Sequence, residues 1–221
     1  AMARIKTDNH LSRKDVIVTK AAALFREKGF KAASMRDLAE AVGVEAASLY
    51  NHIKSKTELL HELCFSVANR FLQKLDEIES EPISAIQKIE KILRFHIVEM
   101  VNNYEEVYVS DREWKHLSDP YLSNYQNQRR VYRKRLAAII EEGIRNKEIK
   151  AIDAPTVVLI FLHAVSGIES WHRSTKKITA EELEQNMVAI LIDGLKANKK
   201  KDNNRLNSYI IKKASIGGLF Y

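Results

Sequence analysis

A chain of 221 residues is long enough for one large domain, or for a small domain followed by a medium one. Three prolines, seven glycines and a charged fraction of 29%, rich in Lys, Glu and Arg, favour helices over sheets, so we expect an all-α protein. The formal net charge of +7 suits a polyanionic partner, and a single cysteine, Cys64, excludes an internal disulfide or a thiolate metal cluster.

The charge is unevenly placed. Residues 1–60 carry 11 Lys/Arg against 7 Asp/Glu, residues 61–195 carry 18 against 21, and residues 196–221 carry 7 against 1. A basic first segment on a mildly acidic body points to a polyanion met by that segment alone. There is neither an apolar leader near the first residue nor a run of some eighteen apolar residues, so we expect no membrane segment and a cytoplasmic location.

Residues 1–11 hold Arg4 and Lys6 without periodicity and read as an arm, either free or laid in a minor groove. Ser12 with Asp15 makes a capping-box start. The helix that follows sets Ile17, Ala21, Leu24 and Phe25 on one face and stops at Gly29. Ser34 with Asp37 caps a second helix, whose apolar residues are Leu38, Ala39 and Val42. At Val42-Gly43-Val44 the chain turns, with Gly43 free to take φ > 0. A third helix follows, with Leu49 and Ile53 four apart on its inner face. Its other residues, Ala46, Ala47, Ser48, Asn51 and His52, are small or polar and uncharged, as suits a surface lying in a DNA groove. This is a helix-turn-helix pattern.

From Gly29 to Leu60 the order GF, SMRDLAEAVGV, SLY, H, SK and a leucine resembles the DNA-binding domain of the TetR family of bacterial transcriptional regulators. Three positions depart from the family pattern: Ala33 replaces a common Thr, Glu45 replaces the Ser that usually caps the recognition helix, and Ile53 replaces an aromatic residue. The resemblance implies that Ala46, Ala47 and Ser48 face base edges, with the alanines against thymine methyls, and Asn51 is a further DNA-binding candidate on the same surface. The resemblance also implies that Ser34, Arg36, Tyr50, His52 and Lys56 hold phosphates. Tyr50 and His52 would alternatively pack the small domain.

Ser55 and Glu58 open a long helix from about Lys56 to Ile78, with Leu60, Leu63, Val67, Phe71, Leu75 and Ile78 at helical spacing. Its first turn belongs to the DNA-binding segment and the rest to the body, which makes it a lever between them. Ser80-Glu81-Pro82 is expected to start the next helix, with Pro82 in the first turn and a wide apolar arc that includes Ile89, Ile92, Leu93, Ile97 and Met100. A short segment around Glu106 to Leu117 precedes a helix from about Tyr121 to Arg145, where Arg129, Arg130, Arg133, Lys134 and Arg135 surround an apolar side; such a run is usually a solvated face. Asp153-Ala-Pro155 opens a helix whose residues Val157 to Leu162 are apolar all round, which implies burial on every side. Thr179 with Glu182 caps the last regular helix, which runs to about Asn198, and residues 199–221 form a basic tail.

These elements divide into an arm (1–11), a helix-turn-helix domain (12–56), a larger α-helical ligand-binding and dimerisation domain (57–198) and the tail (199–221). One such head reads too few base pairs for selectivity, so we expect a homodimer on a palindromic operator. On the family's pattern the last two regular helices form the seam, where Ala164, Ser166 and Gly167 allow close approach.

The middle helices are left to surround an effector pocket, for which Phe71, Phe95, Met100, Tyr104, Tyr108, Trp114, Tyr125, Arg129, Phe161 and Trp171 are candidates. The runs DREWKHLSDPYLSNY, RRVYRKRLAAIIEEGI and SGIESWHR resemble the C-terminal domain of TetR regulators that respond to acyl-CoA thioesters. That resemblance implies an acyl-CoA effector whose phosphates meet Arg129, Arg130 or Arg133. His96 and His163 lack a metal-like cluster and read as core residues. No phosphate loop, HExxH or nucleophile elbow is present, so we expect no catalytic residues, metal or cofactor. The competing reading is a DNA-bound interaction protein of the same fold, whose body docks a protein partner.

Overall fold

The computed structural model describes residues 12–175 and 178–197; the arm 1–11 and the tail 199–221 lie outside the described residues. In chain order the helices are α1 (Arg13–Lys28), α2 (Met35–Val42), α3 (Ala46–Leu49), α4 (Lys56–Ser80), α5 (Ala85–Asn102), α6 (Tyr104–Arg112), a 3-10 turn at Trp114–His116, α7 (Tyr121–Arg145), α8 (Ala154–Ser166), α9 (Ile168–Arg173) and α10 (Ala180–Leu195). The fold is all-α. The nearest approach to a sheet among the described residues is an isolated antiparallel bridge, Ile149 to Lys196.

The helix starts follow local hydrogen bonding. Ser12 and Asp15, Ser34 and Asp37, and Thr179 and Glu182 each form a reciprocal capping box, which satisfies backbone donors that the first turn leaves open. Asp153 caps α8 through the Thr156 amide, with Pro155 in the first turn. The expected start at Pro82 is corrected. Ser84 and Gln87 exchange side-chain to backbone bonds at 3.0 and 3.4 Å, so α5 begins at Ala85 and Pro82 precedes it in the connecting bend.

The chain forms two compact units that do not follow its order. The first contains the described residues up to Gln73 together with Asn102–Arg130, and the second contains Lys74–Val101 and the described residues from Val131 onward. Both α4 and α7 therefore contribute to each unit.

In the first unit, α1 packs on α2 and α6. Its core takes Ile17, Ala21 and Phe25 from α1, Leu38 and Ala39 from α2, Leu49 from α3, and Leu59, Leu60, Leu63 and Cys64 from α4. Val109, Leu117 and Tyr125 complete the same cluster. The helix-turn-helix thus shares its core with α6 and the start of α7. Burial pushes the Cys64 thiol up to about 12, which fits a small apolar filler.

The second unit buries Ile89, Ile92, Leu93, His96 and Ile97 of α5, Tyr132, Leu136, Ile139 and Ile140 of α7, and Val157, Val158, Phe161 and Val165 of α8. The loop after α7 is tied to the end of α10: the Lys150 amide donates to the Leu195 carbonyl and the Ala197 amide to the Glu148 carbonyl. The expectation that α8 is buried on every side is corrected, because Leu159 and Ile160 are 58% and 53% exposed. Among the described residues nothing covers that face. The stretch Ala154–Arg173, with mean hydropathy 1.3, is long and apolar enough to cross a membrane by composition alone. It is divided at Gly167 into α8 and α9, and its inner residues are part of the core.

Candidate nucleic-acid interface

The turn between α2 and α3 is set by Gly43, at φ 78° and ψ 36°. In this left-handed conformation a side chain would be strained, although a Cβ there would meet nothing within 4 Å. The requirement for glycine is therefore conformational and not steric. The Gly43 and Val44 amides return to the Ala39 carbonyl at 3.0 Å each, which closes α2 and turns the chain toward α3.

Leu49 and Ile53 are completely buried, and they fix which side of α3 faces outward. The helix is shorter than the sequence pattern suggests: α3 exposes Ala46 and Ala47, with Ser48 half-buried at its edge, and the turn that follows exposes Tyr50, Asn51 and His52. Tyr50 is 53% exposed, so it is available to a ligand and is not packed into the head. Glu45 occupies the cap position, where its carbonyl accepts from the amides of Ser48 and Leu49 at 2.9 and 3.2 Å, but its side chain forms no cap hydrogen bond. Arg36 is exposed on α2.

Ser34 and Lys56 have their donors engaged inside the head. The Ser34 hydroxyl donates to Asp37 Oδ2 at 2.6 Å and accepts from the Asp37 amide at 3.1 Å. Its single proton is therefore committed to a carboxylate, which leaves it no donor for a phosphate. Lys28 donates to the other Asp37 oxygen at 2.8 Å. The Lys28 ammonium, then the Ser34 hydroxyl and amide, hold the Asp37 carboxyl well below the usual carboxylate range.

Lys56 Nζ donates to the carbonyls of Phe30 and Ala33 at 2.7 Å each and of Lys31 at 3.3 Å. It also lies 4.6 Å from the centroid of the Phe30 ring, and that ring stacks on His116 with centroids 5.5 Å apart. An ammonium has three N–H donors, and each of these has a carbonyl. Lys56 thus pins the loop between α1 and α2 to the first turn of α4. From the sequence it had been expected to grip a phosphate, because the motif places the residue without showing where the ammonium turns.

The residues expected to line an effector pocket are divided between the two units. Phe71, Tyr104, Tyr108, Trp114, Tyr125 and Arg129 belong to the first. There Arg129 lies over Trp114 and Tyr125, 5.5 and 5.9 Å from their centroids, and pairs with Asp111 at 2.8 Å. The Tyr125 hydroxyl donates to the Ser110 carbonyl at 2.9 Å, and burial pushes it up to about 12. Tyr104 and Tyr108 meet edge to face, with Arg26 over the first and Arg112 over the second.

Phe95, Met100, Phe161 and Trp171 belong to the second unit. Phe161, with Ile89, Leu136, Ile140 and Val158, lines a small apolar cavity. Trp171 Nε1 donates to the Ile178 carbonyl at 2.8 Å, and His172 Nε2 donates to the Met100 carbonyl at 2.7 Å. The basic run on α7 is partly absorbed by acidic and amide neighbours: Arg130 bonds Asn127, and Arg135 pairs with Asp76 and Glu79.

One polar pair was not foreseen. His96 Nε2 lies 2.7 Å from the Tyr132 hydroxyl, and its ring meets Phe161 edge to face at 5.4 Å. Burial pushes His96 down to about 3, so the imidazole is neutral at pH 7. The sequence places His96 on the buried stripe of α5, but its partner is 36 residues away and no local spacing points to it. Among the described residues no group of three or more His, Cys, Asp or Glu side chains is arranged to hold a metal ion.

Comparison with known proteins gives two family matches. Residues 17–63 match the model described as bacterial regulatory proteins, tetR family, and residues 82–195, about half the chain, match the model described as tetracyclin repressor-like, C-terminal domain. The chain is 24% identical over 186 residues to the HTH-type transcriptional repressor KstR2 of Mycolicibacterium smegmatis, covering 83% of this chain and 91% of that protein. Among solved structures it is similar to the ketosteroid transcriptional regulator KstR2 of Mycobacterium tuberculosis, with a TM-score of 0.79 at 22% identity, covering 88% of this chain and 100% of the other. It is also similar to AibR in complex with isovaleryl coenzyme A and operator DNA, with a TM-score of 0.72 at 22% identity, covering 82% and 98%.

Proposed function

The chain belongs to the TetR family of bacterial regulatory proteins, and from that premise we propose that it is a homodimeric, cytoplasmic repressor released from a palindromic operator by an acyl-CoA or similar apolar effector. Members of this family are regulators and not enzymes. The observation that carries the reading is the outer face of α3. Small and polar residues stand exposed there over two fully buried anchors, Leu49 and Ile53, and a capped α2 lies on the other side of the Gly43 turn.

On this reading Ala46, Ala47, Ser48 and Asn51 meet base edges while Arg36, Tyr50 and His52 meet phosphates. Ser34 and Lys56 act from behind: Ser34 caps α2, and Lys56 holds the loop that precedes it. Two heads on one operator require a dimer. The exposed Leu159 and Ile160 of α8 and Ile190 of α10, the last 73% exposed, are the residues we assign to the seam. Apolar side chains this exposed on two long helices are better covered than solvated.

The choice of effector draws on AibR, whose solved complex contains isovaleryl coenzyme A and operator DNA, and on the apolar cavity beside Phe161. The cavity is small, so an acyl chain of any length would have to displace side chains, and that displacement would link binding to release.

The test is titration of purified protein against the DNA upstream of its own coding sequence, with isovaleryl-CoA, longer acyl-CoAs and free coenzyme A added in turn. Release by acyl-CoA but not by coenzyme A is expected. Unchanged DNA binding with every thioester would remove the effector and leave the repressor. A second reading, in which the body docks a protein partner, is favoured by the same exposed α8 and α10 residues. It would replace the seam if the protein were monomeric in solution.

A further inference from the structure

In the second unit a polar contact stands in an apolar interior. His96 Nε2 on α5 lies 2.7 Å from the Tyr132 hydroxyl on α7, and both residues are buried. Packing does not require the pair. Apolar side chains of the same shape at both positions would be nearly neutral or stabilising, and the burial that encloses the imidazole pushes it down to about 3 and so keeps it uncharged.

The pair adjoins the small cavity beside Phe161. That cavity is lined by Ile89, Leu136, Ile140, Val158 and Phe161, none of which is polar. Tyr132 lies one turn from Leu136 along α7, and His96 lies two turns from Ile89 along α5, so each is on the helix face that carries the lining. Phe161 of α8 stands between: it lines the cavity, and its ring meets that of His96 edge to face at 5.4 Å. A ligand that fills the cavity and turns Phe161 aside reaches the pair. Apolar pockets with a few convergent polar groups are where small molecules are held and told apart.

The chemistry of the pair defines what it accepts. A neutral imidazole carries one N–H and one bare nitrogen, while a phenol donates once and accepts twice. With the imidazole proton on Nε2, the phenol accepts from His96 and can donate its own proton to a carbonyl oxygen. With that proton on Nδ1, the phenol donates to His96 and can accept from a hydroxyl. Neither arrangement supplies the counter-charge that a buried carboxylate needs.

We propose that His96 and Tyr132 are specificity-determining residues of the effector site, selecting a neutral, apolar ligand that carries a carbonyl or hydroxyl oxygen at its buried end. This rests on the reading of the body as an effector-binding domain, and holds whether or not the effector is a thioester.

The experiment uses the full chain, its Tyr132→Phe variant and the double variant His96→Leu with Tyr132→Phe. Each is titrated calorimetrically with ethylbenzene, acetophenone and 1-phenylethanol, probes of similar size that differ in the oxygen. Far-ultraviolet circular dichroism checks that the helices are retained, and the double variant, which leaves neither partner unpaired, keeps the test open if the single one unfolds. Both variants should bind the two oxygenated probes about tenfold more weakly than wild type does, and ethylbenzene no more weakly. If the variants shift all three probes alike, or none of them, the pair is a core contact alone and the proposal is overturned. Wild type that binds neither oxygenated probe overturns it as well. Release of DNA by acyl-CoA is read in a separate titration, so a failed thioester effector is distinguishable from a failed polar pair.

Discussion

The head around α3 and the outer face of α8 and α10 are both exposed, and they are exposed for different reasons. In the head the large apolar residues Leu38, Leu49 and Ile53 are buried, and small or polar groups are left for solvent. On α8 and α10, Leu159, Ile160 and Ile190 stand in solvent although the opposite sides of the same helices are packed. The first surface is finished within one chain and is suited to a polar, charged ligand. The second is left apolar by the described residues, and its area would gain from being covered.

The contrast can be broken most strongly at Leu49. Leu49→Ala should cost about 2–5 kcal/mol, read as a fall in the urea midpoint, and it should abolish DNA binding without changing oligomeric state. Ile190→Glu should act in the opposite way. It should weaken association by about 2 kcal/mol or more, seen as monomer in sedimentation, while a single chain keeps its helicity and thermal midpoint at high dilution.

A third change sharpens the account of the head itself. Lys56→Met retains the stem but removes three bonds to carbonyls, so it should cost about 1.5–3 kcal/mol of stability and weaken binding to all duplexes. The salt dependence of binding should stay unchanged, since the ammonium is committed to carbonyls. A fall of about one in the slope of log K against log salt would instead place Lys56 on a phosphate. The smallest effect belongs to Asp37. Its carboxyl is held below its ordinary value by Lys28 and Ser34, so its pairing stabilises the head above the unfolded value of about 3.9 and is lost as pH falls through the lower folded value. Asp37→Asn should flatten the acid limb of the unfolding curve and leave the neutral region less affected.

What could be foreseen followed the range of the interaction concerned. Three of the capping boxes, the Gly43 turn and the buried stripe of α4 are set by residues within about one turn of one another, and their spacing shows in the sequence. The start of α5 was misplaced because Pro82 is a strong signal, whereas the Ser84 and Gln87 pair that governs it is a weaker one. The division of the aromatic residues between two units, the pairing of His96 with Tyr132, and the carbonyls around Lys56 all depend on partners more than twenty residues away. Periodicity carries no information about such partners. Exposure of Leu159 and Ile160 has a further cause. The run Val157 to Leu162 is apolar all round, and such a pattern does not record which of its faces the rest of the chain packs against.

The completion of the head's core by Val109, Leu117 and Tyr125 bears on how such proteins diversify. A graft that cut this chain after residue 56 and joined it to another family member's body would leave those residues behind. The transplanted Ile17, Phe25 and Leu49 neighbourhood would then depend on a foreign α6. Such an exchange is therefore expected to cost this head stability, read as a lower urea midpoint, whereas substitutions on the exposed α3 surface displace no core residue.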